Sequence, residues 1–371
     1  MDFNFTDDQQ ALRDAVARWV EKSYGFERRQ KIVAAGGFDR AAYGEMAELG
    51  LTGLNVSDEH GGLGLGPVEA MVVMEELGKA IVLEPLAQTL VCAAVLCHYA
   101  PTDVKTAWLP KQASGEALVV LAQQERKARY HLDVCEAKAV KSGAGYAVTA
   151  LKNIVPAGDQ ADAFIVPAQL DGQIALFLVE RSAKGVHTRG YLTQDESRAA
   201  DIQLDGAPAT LITTEGQQAL ALAVDAGIAC ACAEGVGVME RFVAMTVEYM
   251  NQRKQFGVSI ASFQALRHRV ADMKMQLELA RSMSYYASLK LGAPEAERRQ
   301  ALARAKVQLG QSARFVGQQG VQLHGGIGVT DEYAGSHYFK KLTQLEMTWG
   351  DSLHHLGEVS DRMTETAGVF A

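Results

Sequence analysis

The sequence predicts an α+β multidomain chain, on three observations. Apolar residues recur at three and four up to about residue 113 and again from Gly216 onward, the spacing of helices with one buried face. Between these stretches, from near Gly115, short apolar runs alternate with glycine turns and no long helical period interrupts them. That is the pattern of a small antiparallel β domain. The third observation is length, since 371 residues exceed what one core usually serves. The expected organisation is an N-terminal helical domain over 1–114, a β domain over 115–214 and a C-terminal helical bundle over 215–371.

The first helix is announced by Thr6 and Gln9, a capping-box pair, with Leu12, Val16, Trp19 and Val20 following at helical spacing. Residues 38–49 read as a second amphipathic helix, stopped by Gly50. The cluster Gly61, Gly62, Gly64 and Gly66 invites a dinucleotide reading and fails it. After Gly62-Leu63-Gly64 the third glycine position is Pro67, and no acidic residue closes a second strand, so a tight loop is expected. Helices continue over 67–78 and 85–99. Strands are expected at 117–121, 146–150, 163–168, 174–179, 186–192 and 199–204, with Asp171-Gly172 a strong hairpin signal. Three long helices, 217–251, 262–291 and 294–322, follow as in an antiparallel four-helix bundle, Pro294 standing at a helix start where it is tolerated.

Composition excludes several classes of function. Apolar residues make up 48% and charged residues 22%, ordinary for a globular chain with a large interior. A net charge of −8 without a basic tract argues against nucleic acid or an anionic membrane as partner. Cys92, Cys97, Cys135, Cys230 and Cys232 lack paired spacing and read as reduced thiols. The acidic start is unlike a signal peptide, and the apolar tract over 81–97 is too short to span a bilayer, so a cytoplasmic protein is expected.

Chemistry is concentrated in two stretches. Over 249–273 a helical run ends, Arg253-Lys254-Gln255-Phe256-Gly257 breaks it, and Phe263-Gln264 opens a second helix. Two positive charges, an amide, an aromatic ring and a glycine at a helix corner can hold an anion with a flat group stacked nearby; equally, such charges can simply offset a helix dipole in solvent. In the second stretch, Gln322-Leu323-His324-Gly325-Gly326-Ile327-Gly328, glycines directly after a long helix either cap it or let backbone approach a ligand closely. Metal ligands and a nucleophile are not indicated: His354 and His355 are adjacent, and no elbow motif surrounds a serine or cysteine.

Taken together, R-K-Q-F-G followed by I-x-x-F-Q and A-D-M, then Q-L-H-G-G-I-G-V-T, resemble the acyl-CoA dehydrogenase family of flavoproteins. The N-terminal runs FTDDQQALRD, MAELGLTGLNVSDEHGGLGLG and MEELGKAI agree, so the resemblance covers nearly the whole chain. It implies a central antiparallel β-barrel domain between the helical domains, and FAD as cofactor. It also implies that Arg253, Gln255 and Phe256 contact the FAD of a neighbouring subunit. Phe263, Gln264, Gln322, Gly325 and Gly326 would line the ADP half, where a pyrophosphate wants charge-assisted donors and close backbone. The implied reaction is α,β-dehydrogenation of an acyl-CoA thioester, a carboxylate taking the α-proton and the flavin the β-hydride. An oligomer and an electron-transfer flavoprotein as electron acceptor follow from the same resemblance.

The sequence departs from the family where the base should be. One usual position for the glutamate is Trp349, followed by Gly350 and Asp351; the other is Gly227, followed by Ile228 in place of an arginine. The flavin-facing T-E-P-x-A-G-S-D loop would fall at 122–127 without its Gly-Ser-Asp, and Pro156 stands where many members have a threonine. Three readings remain open: Asp351 is a substitute base; the chain is the base-deficient, flavin-binding subunit of a heteromeric enzyme, resembling those acting on steroid side chains or dicarboxylic acyl-CoAs; or it is an oxygen-reacting relative of the same fold.

Overall fold

The structure is a computed structural model that describes residues 5–143 and 145–363. Its elements run α1 (Asp7–Ser23), α2 (Phe26–Ala34), α3 (Arg40–Glu48), α4 (Pro67–Lys79), α5 (Leu86–Tyr99) and α6 (Thr102–Ala113). Strands follow: β1 (Val119–Leu121), β2 (Lys138–Ser142), β3 (Gly145–Pro156), β4 (Ala163–Leu170), β5 (Gln173–Glu180), β6 (Val186–Leu192) and β7 (Arg198–Thr213). The chain then returns to helix as α7 (Gly216–Gln252), with a two-stranded ribbon, β8 (Lys254–Gln255) and β9 (Val258–Ser259). It ends with α8 (Gln264–Lys290), α9 (Glu295–His324), α10 (Ala334–Met347) and α11 (Ser352–Asp361). By compactness the chain divides into two units. One is formed by residues up to Arg28, Pro67–Val82 and Ile228 onward, the other by Arg29–Gly66 and Leu83–Gly227.

The second of these units holds the strands. β2, β3, β7, β5 and β4 pair in a closed ring, with β1 added beside β4 and β6 beside β7. The core is built from Val148, Val155, Phe164, Val166, Phe177, Val179, Ile202 and Leu204. Most pairings are antiparallel, as expected, but β1–β4 and β2–β4 are parallel. β5 lines one edge of β4, so β1 and β2 follow one another in the same direction along the other edge; that needs a long crossover, which residues 122–137 provide. Asp171 and Gly172 both take left-handed φ, 51° and 83°, the type I′ turn that the Asp-Gly pair signals. The Gly61–Gly66 cluster is the tight loop expected: Leu63, Gly64 and Leu65 amides bond to the carbonyls of Gly53, Val56 and Leu54, and among the described residues no strand precedes it.

The crossover is pinned from inside the barrel. Lys152 of β3 is 0% exposed, and its ammonium donates to Glu125 Oε1 at 2.6 Å and to the Pro167 carbonyl at 2.9 Å. Glu125 also accepts from the Glu136 and Ala137 amides. Burial alone would raise its carboxyl; Lys152 and the two amides outweigh that and hold it below the usual carboxylate range. This segment is where the resemblance expected the flavin-facing loop, and Pro156 ends β3 opposite Ala199.

In the other unit, α7 carries the packing. It is long and apolar enough to cross a membrane by length and composition, yet 94% of its most apolar window is buried inside the protein, as in a core helix. Its contact with α4 depends on missing side chains: a Cβ on Gly237 would lie 1.9 Å from the Glu75 carbonyl, and one on Gly78 would lie 2.2 Å from that of Glu234. The Glu75 carboxylate is buried between Arg13 at 3.0 Å and Arg281 at 3.5 Å. Burial pushes it up to about 7 despite both arginines. At the other end of the chain order, the capping box forms as read, Thr6 and Gln9 exchanging side chain-to-backbone bonds of 3.0 and 3.2 Å.

Lys152→Met should destabilise the protein by about 3–5 kcal/mol, because it strands a buried carboxylate. Adding Glu125→Leu should recover only part of this in denaturant titration, since the Glu136 and Ala137 amides then lack an acceptor. Full recovery would show that the amide bonds contribute nothing.

Candidate flavin and acyl site

The corner over 249–273 is more ordered than a simple helix break. The Arg253 amide continues α7 by bonding to the Tyr249 carbonyl at 2.8 Å; the chain then folds back as the ribbon Lys254↔Ser259 and Gln255↔Val258. Its turn residues, Phe256 and Gly257, have φ of 54° and 81°. That geometry favours Asn or Asp before Gly, and an aromatic residue there carries backbone strain of order 1 kcal/mol or more. Ser259 anchors the return, donating to the Met250 carbonyl at 2.8 Å and accepting from the Ala261 amide at 3.3 Å. The result is a rigid ledge that exposes Arg253, Gln255, Gln264 and a pair of rings, Phe256 and Phe263, packed edge to face at 6.2 Å. Phe256 is 92% exposed.

The glycine loop lies at the same end of the helices. α9 stops at His324, whose imidazole is buried against Tyr249 of α7 at 4.7 Å, Phe242 at 5.7 Å and Tyr333 at 5.1 Å. Its Nδ1–H is positioned to donate to the Gly320 carbonyl at 2.8 Å; burial lowers its basicity and keeps it neutral, and Nε2 is buried with no partner. Gly325 follows at φ 65°, which spares it a Cβ penalty. A Cβ on Gly325 or Gly326 would meet nothing within 4 Å, so their backbone is open to a ligand, whereas Gly328 is crowded at 3.0 Å by Val321 and His324. Gln322 is exposed in the last turn of α9. The Tyr249–His324 ring contact, tilted by 32°, is thus what joins the two stretches.

Asp351 sits on a different connector, between α10 and α11, as the N-cap of α11: its Oδ1 accepts from the His354 amide at 2.8 Å. The connector has left-handed backbone at both Trp349 (φ 62°) and Gly350 (φ 108°). Three carbonyls around that bend are held by buried side chains. Lys306 of α9, 0% exposed, donates to the Glu346 and Gly350 carbonyls at 2.7 and 2.8 Å, and His355 Nε2 donates to the Trp349 carbonyl at 2.8 Å. Burial lowers the Lys306 ammonium to about 8 against the pull of Cys232, Glu346 and Asp351. Burial likewise takes His355 down to about 3, the Trp349 bond opposing and Lys306 adding to the effect. The alternative base position, Gly227, lies inside α7 beside the fully buried Asp225 and Ile228. Sequence reading passed over Lys306, Glu125 and Lys152, and weighed His355 only as a metal ligand. The only local hint was Lys306 amid the small residues of A-L-A-R-A-K.

Comparison with known proteins shows the family. The N-terminal domain model of acyl-CoA dehydrogenases matches residues 6–116, and the C-terminal domain model matches 216–364. The chain is 30% identical to the acyl-CoA dehydrogenase IpdE2 of Mycobacterium tuberculosis, over 90% of this chain and 91% of that one. It belongs to the acyl-CoA dehydrogenase family. Among solved structures, a variant of the steroid ACAD Tcur3481–Tcur3483 superposes with a TM-score of 0.90 at 26% identity, covering 97% of this chain and 99% of that one. The ChsE4–ChsE5 complex of Mycobacterium tuberculosis gives 0.89 at 25% identity, covering 98% and 99%.

This acyl-CoA dehydrogenase-type chain is therefore a flavoprotein oxidoreductase with FAD as cofactor. Its own residues fit the ADP half of that group: exposed guanidinium and amide donors, open glycine backbone and a ring pair are what a pyrophosphate and a flat base require. The Lys306 ammonium titrates at about 8, below its ordinary 10.5, so between these values the unfolded chain binds more protons. Stability contributed at this site rises with pH across that window. The unfolding free energy of the wild type should gain on that of Lys306→Met by up to about 3 kcal/mol there, and a difference flat in pH would refute the buried ammonium.

Proposed function

We propose that this chain is the flavin-binding, base-deficient subunit of a heteromeric acyl-CoA dehydrogenase, in which the partner supplies the carboxylate that removes the α-proton. One observation carries the reading: the usual base position is Trp349, on a connector whose carbonyls are held by Lys306 and His355. The Asp351 carboxylate is already engaged as a helix cap. A lost glutamate and a lost arginine at Gly227 and Ile228 point the same way. The two-component makeup of the solved ChsE4–ChsE5 complex supports the heteromer, and the steroid ACAD supports a bulky acyl group.

In this reading Arg253, Gln255 and Phe256 reach the FAD of the neighbouring subunit, while Phe263, Gln264, Gln322, Gly325 and Gly326 hold the ADP half. FAD supplies the hydride acceptor for α,β-dehydrogenation of the thioester. An electron-transfer flavoprotein is the expected electron acceptor and the cytoplasm the expected compartment. The competing reading, Asp351 as base, is favoured by its half-buried carboxylate two residues from the usual position.

The test is purification alone and with the partner subunit. Alone, the chain should not be bleached by an acyl-CoA; with the partner it should be, and Asp351→Asn should leave that rate unchanged, because asparagine caps a helix as well as aspartate. Bleaching of the isolated chain that Asp351→Asn abolishes would establish the competing reading, and peroxide release in air without an acceptor would favour an oxygen-reacting enzyme. Separately, Arg253→Ala should weaken FAD retention by about 1.5–3 kcal/mol, read as flavin lost on dilution. Full occupancy at low free flavin would remove Arg253 from the site.

A further inference from the structure

A fully buried lysine is costly, and Lys306 is used on nothing but one bend of backbone. One of its bonds goes to the Glu346 carbonyl in the last turn of α10, where a helix presents its negative pole, and the other to the Gly350 carbonyl on the connector. Between them stands Trp349, whose left-handed φ of 62° is an outlier for so bulky a residue. Its carbonyl is taken by His355, and the fit allows no variation: a Cβ on Gly350 would lie 2.5 Å from His355 Nε2. The next residue, Ser352, is seated by its amide on Glu346 Oε1 at 3.1 Å, and its hydroxyl lies where a Cβ on Gly310 of α9 would be, 2.0 Å away. Strain of this kind persists only where the surroundings over-determine it.

We propose that Lys306, seconded by His355, is a positioning residue that fixes the left-handed backbone of Trp349 and Gly350 and so sets how residue 349 faces the acyl ligand. The last clause rests on the functional reading above; the fixing of the bend does not. The groups around the ammonium are Cys232 on α7, Glu346 on α10, Asp351 on the connector and His355 on α11, with His354 and Arg299 next to His355. Cys232 and His355 are themselves buried and held neutral by burial. Proton loss from Lys306 therefore weakens the charge-assisted grip on two carbonyls without another cation taking its place, and the bend at Trp349 relaxes.

Fluorine NMR of the FAD-loaded protein labelled with fluorotryptophan tests this without disturbing the fold. Its three tryptophans, Trp19, Trp108 and Trp349, give three signals, assigned for Trp349 by Trp349→Phe. The Trp349 signal should shift with a midpoint at about 8 while the other two do not. The shift should vanish in Lys306→Met or, should that variant not fold, in Lys306→Arg, which stays charged. An acyl-CoA added to the assembled enzyme should then perturb the flavin spectrum with at least tenfold weaker half-saturation in the variant than in the wild type. A Trp349 signal that does not titrate, or titrates equally in the variant, overturns the proposal. A titrating Trp349 with no acyl-CoA response in any protein would instead count against the functional reading and leave the clamp standing.

Discussion

The helical unit depends on how closely α7 can approach α4. With glycine at 78 and 237 the two backbones meet at distances no side chain would permit, so α7 sinks into the interior along most of its length. A helix that deep cannot bring polar groups with it unless they are matched, and Glu75, directly beneath the contact, is matched by Arg13 and Arg281. The far end of α7 then emerges at Tyr249, whose ring contact with His324 ties the 249–264 corner to the glycine loop. Two missing Cβ atoms at one end thus decide where an arginine and a glycine loop stand at the other.

What could be read in the sequence was local. The capping box at Thr6 and Gln9, the Asp-Gly turn and the three long helices each signal within a few residues, and each forms as read. The ribbon over 254–259 was not legible, because Phe256 occupies a turn position that residue preferences assign to Asn or Asp. β2 was missed as well: K-A-V-K-S has a single buried residue, so it carries no alternation to recognise. The buried charges were hidden for another reason. Lys152 finds Glu125 27 residues away and Lys306 finds Gly350 44 residues away, separations that no windowed pattern contains.

The two halves of the candidate site differ in the same way. On the ADP side the requirements are chemical and are written in residue types: arginine, amides, an aromatic ring and glycines in a set order. Around residue 349, where the resemblance would place a base, the requirements are geometric, and a tryptophan stands there. What the structure shows at residue 349 is a left-handed bend gripped by a lysine and a histidine from two helices.

The ledge that presents Phe256 has a consequence for handling the protein. Val258, Phe263, Ile327 and Val329 are exposed close to it, so this end of the helices, the one proposed to hold FAD, is also oily. Apolar surface gathered in this way drives proteins together when nothing covers it. On the proposed heteromeric reading, the chain overproduced without its partner leaves this end bare, and its solubility then turns on stoichiometry during expression rather than on fold stability.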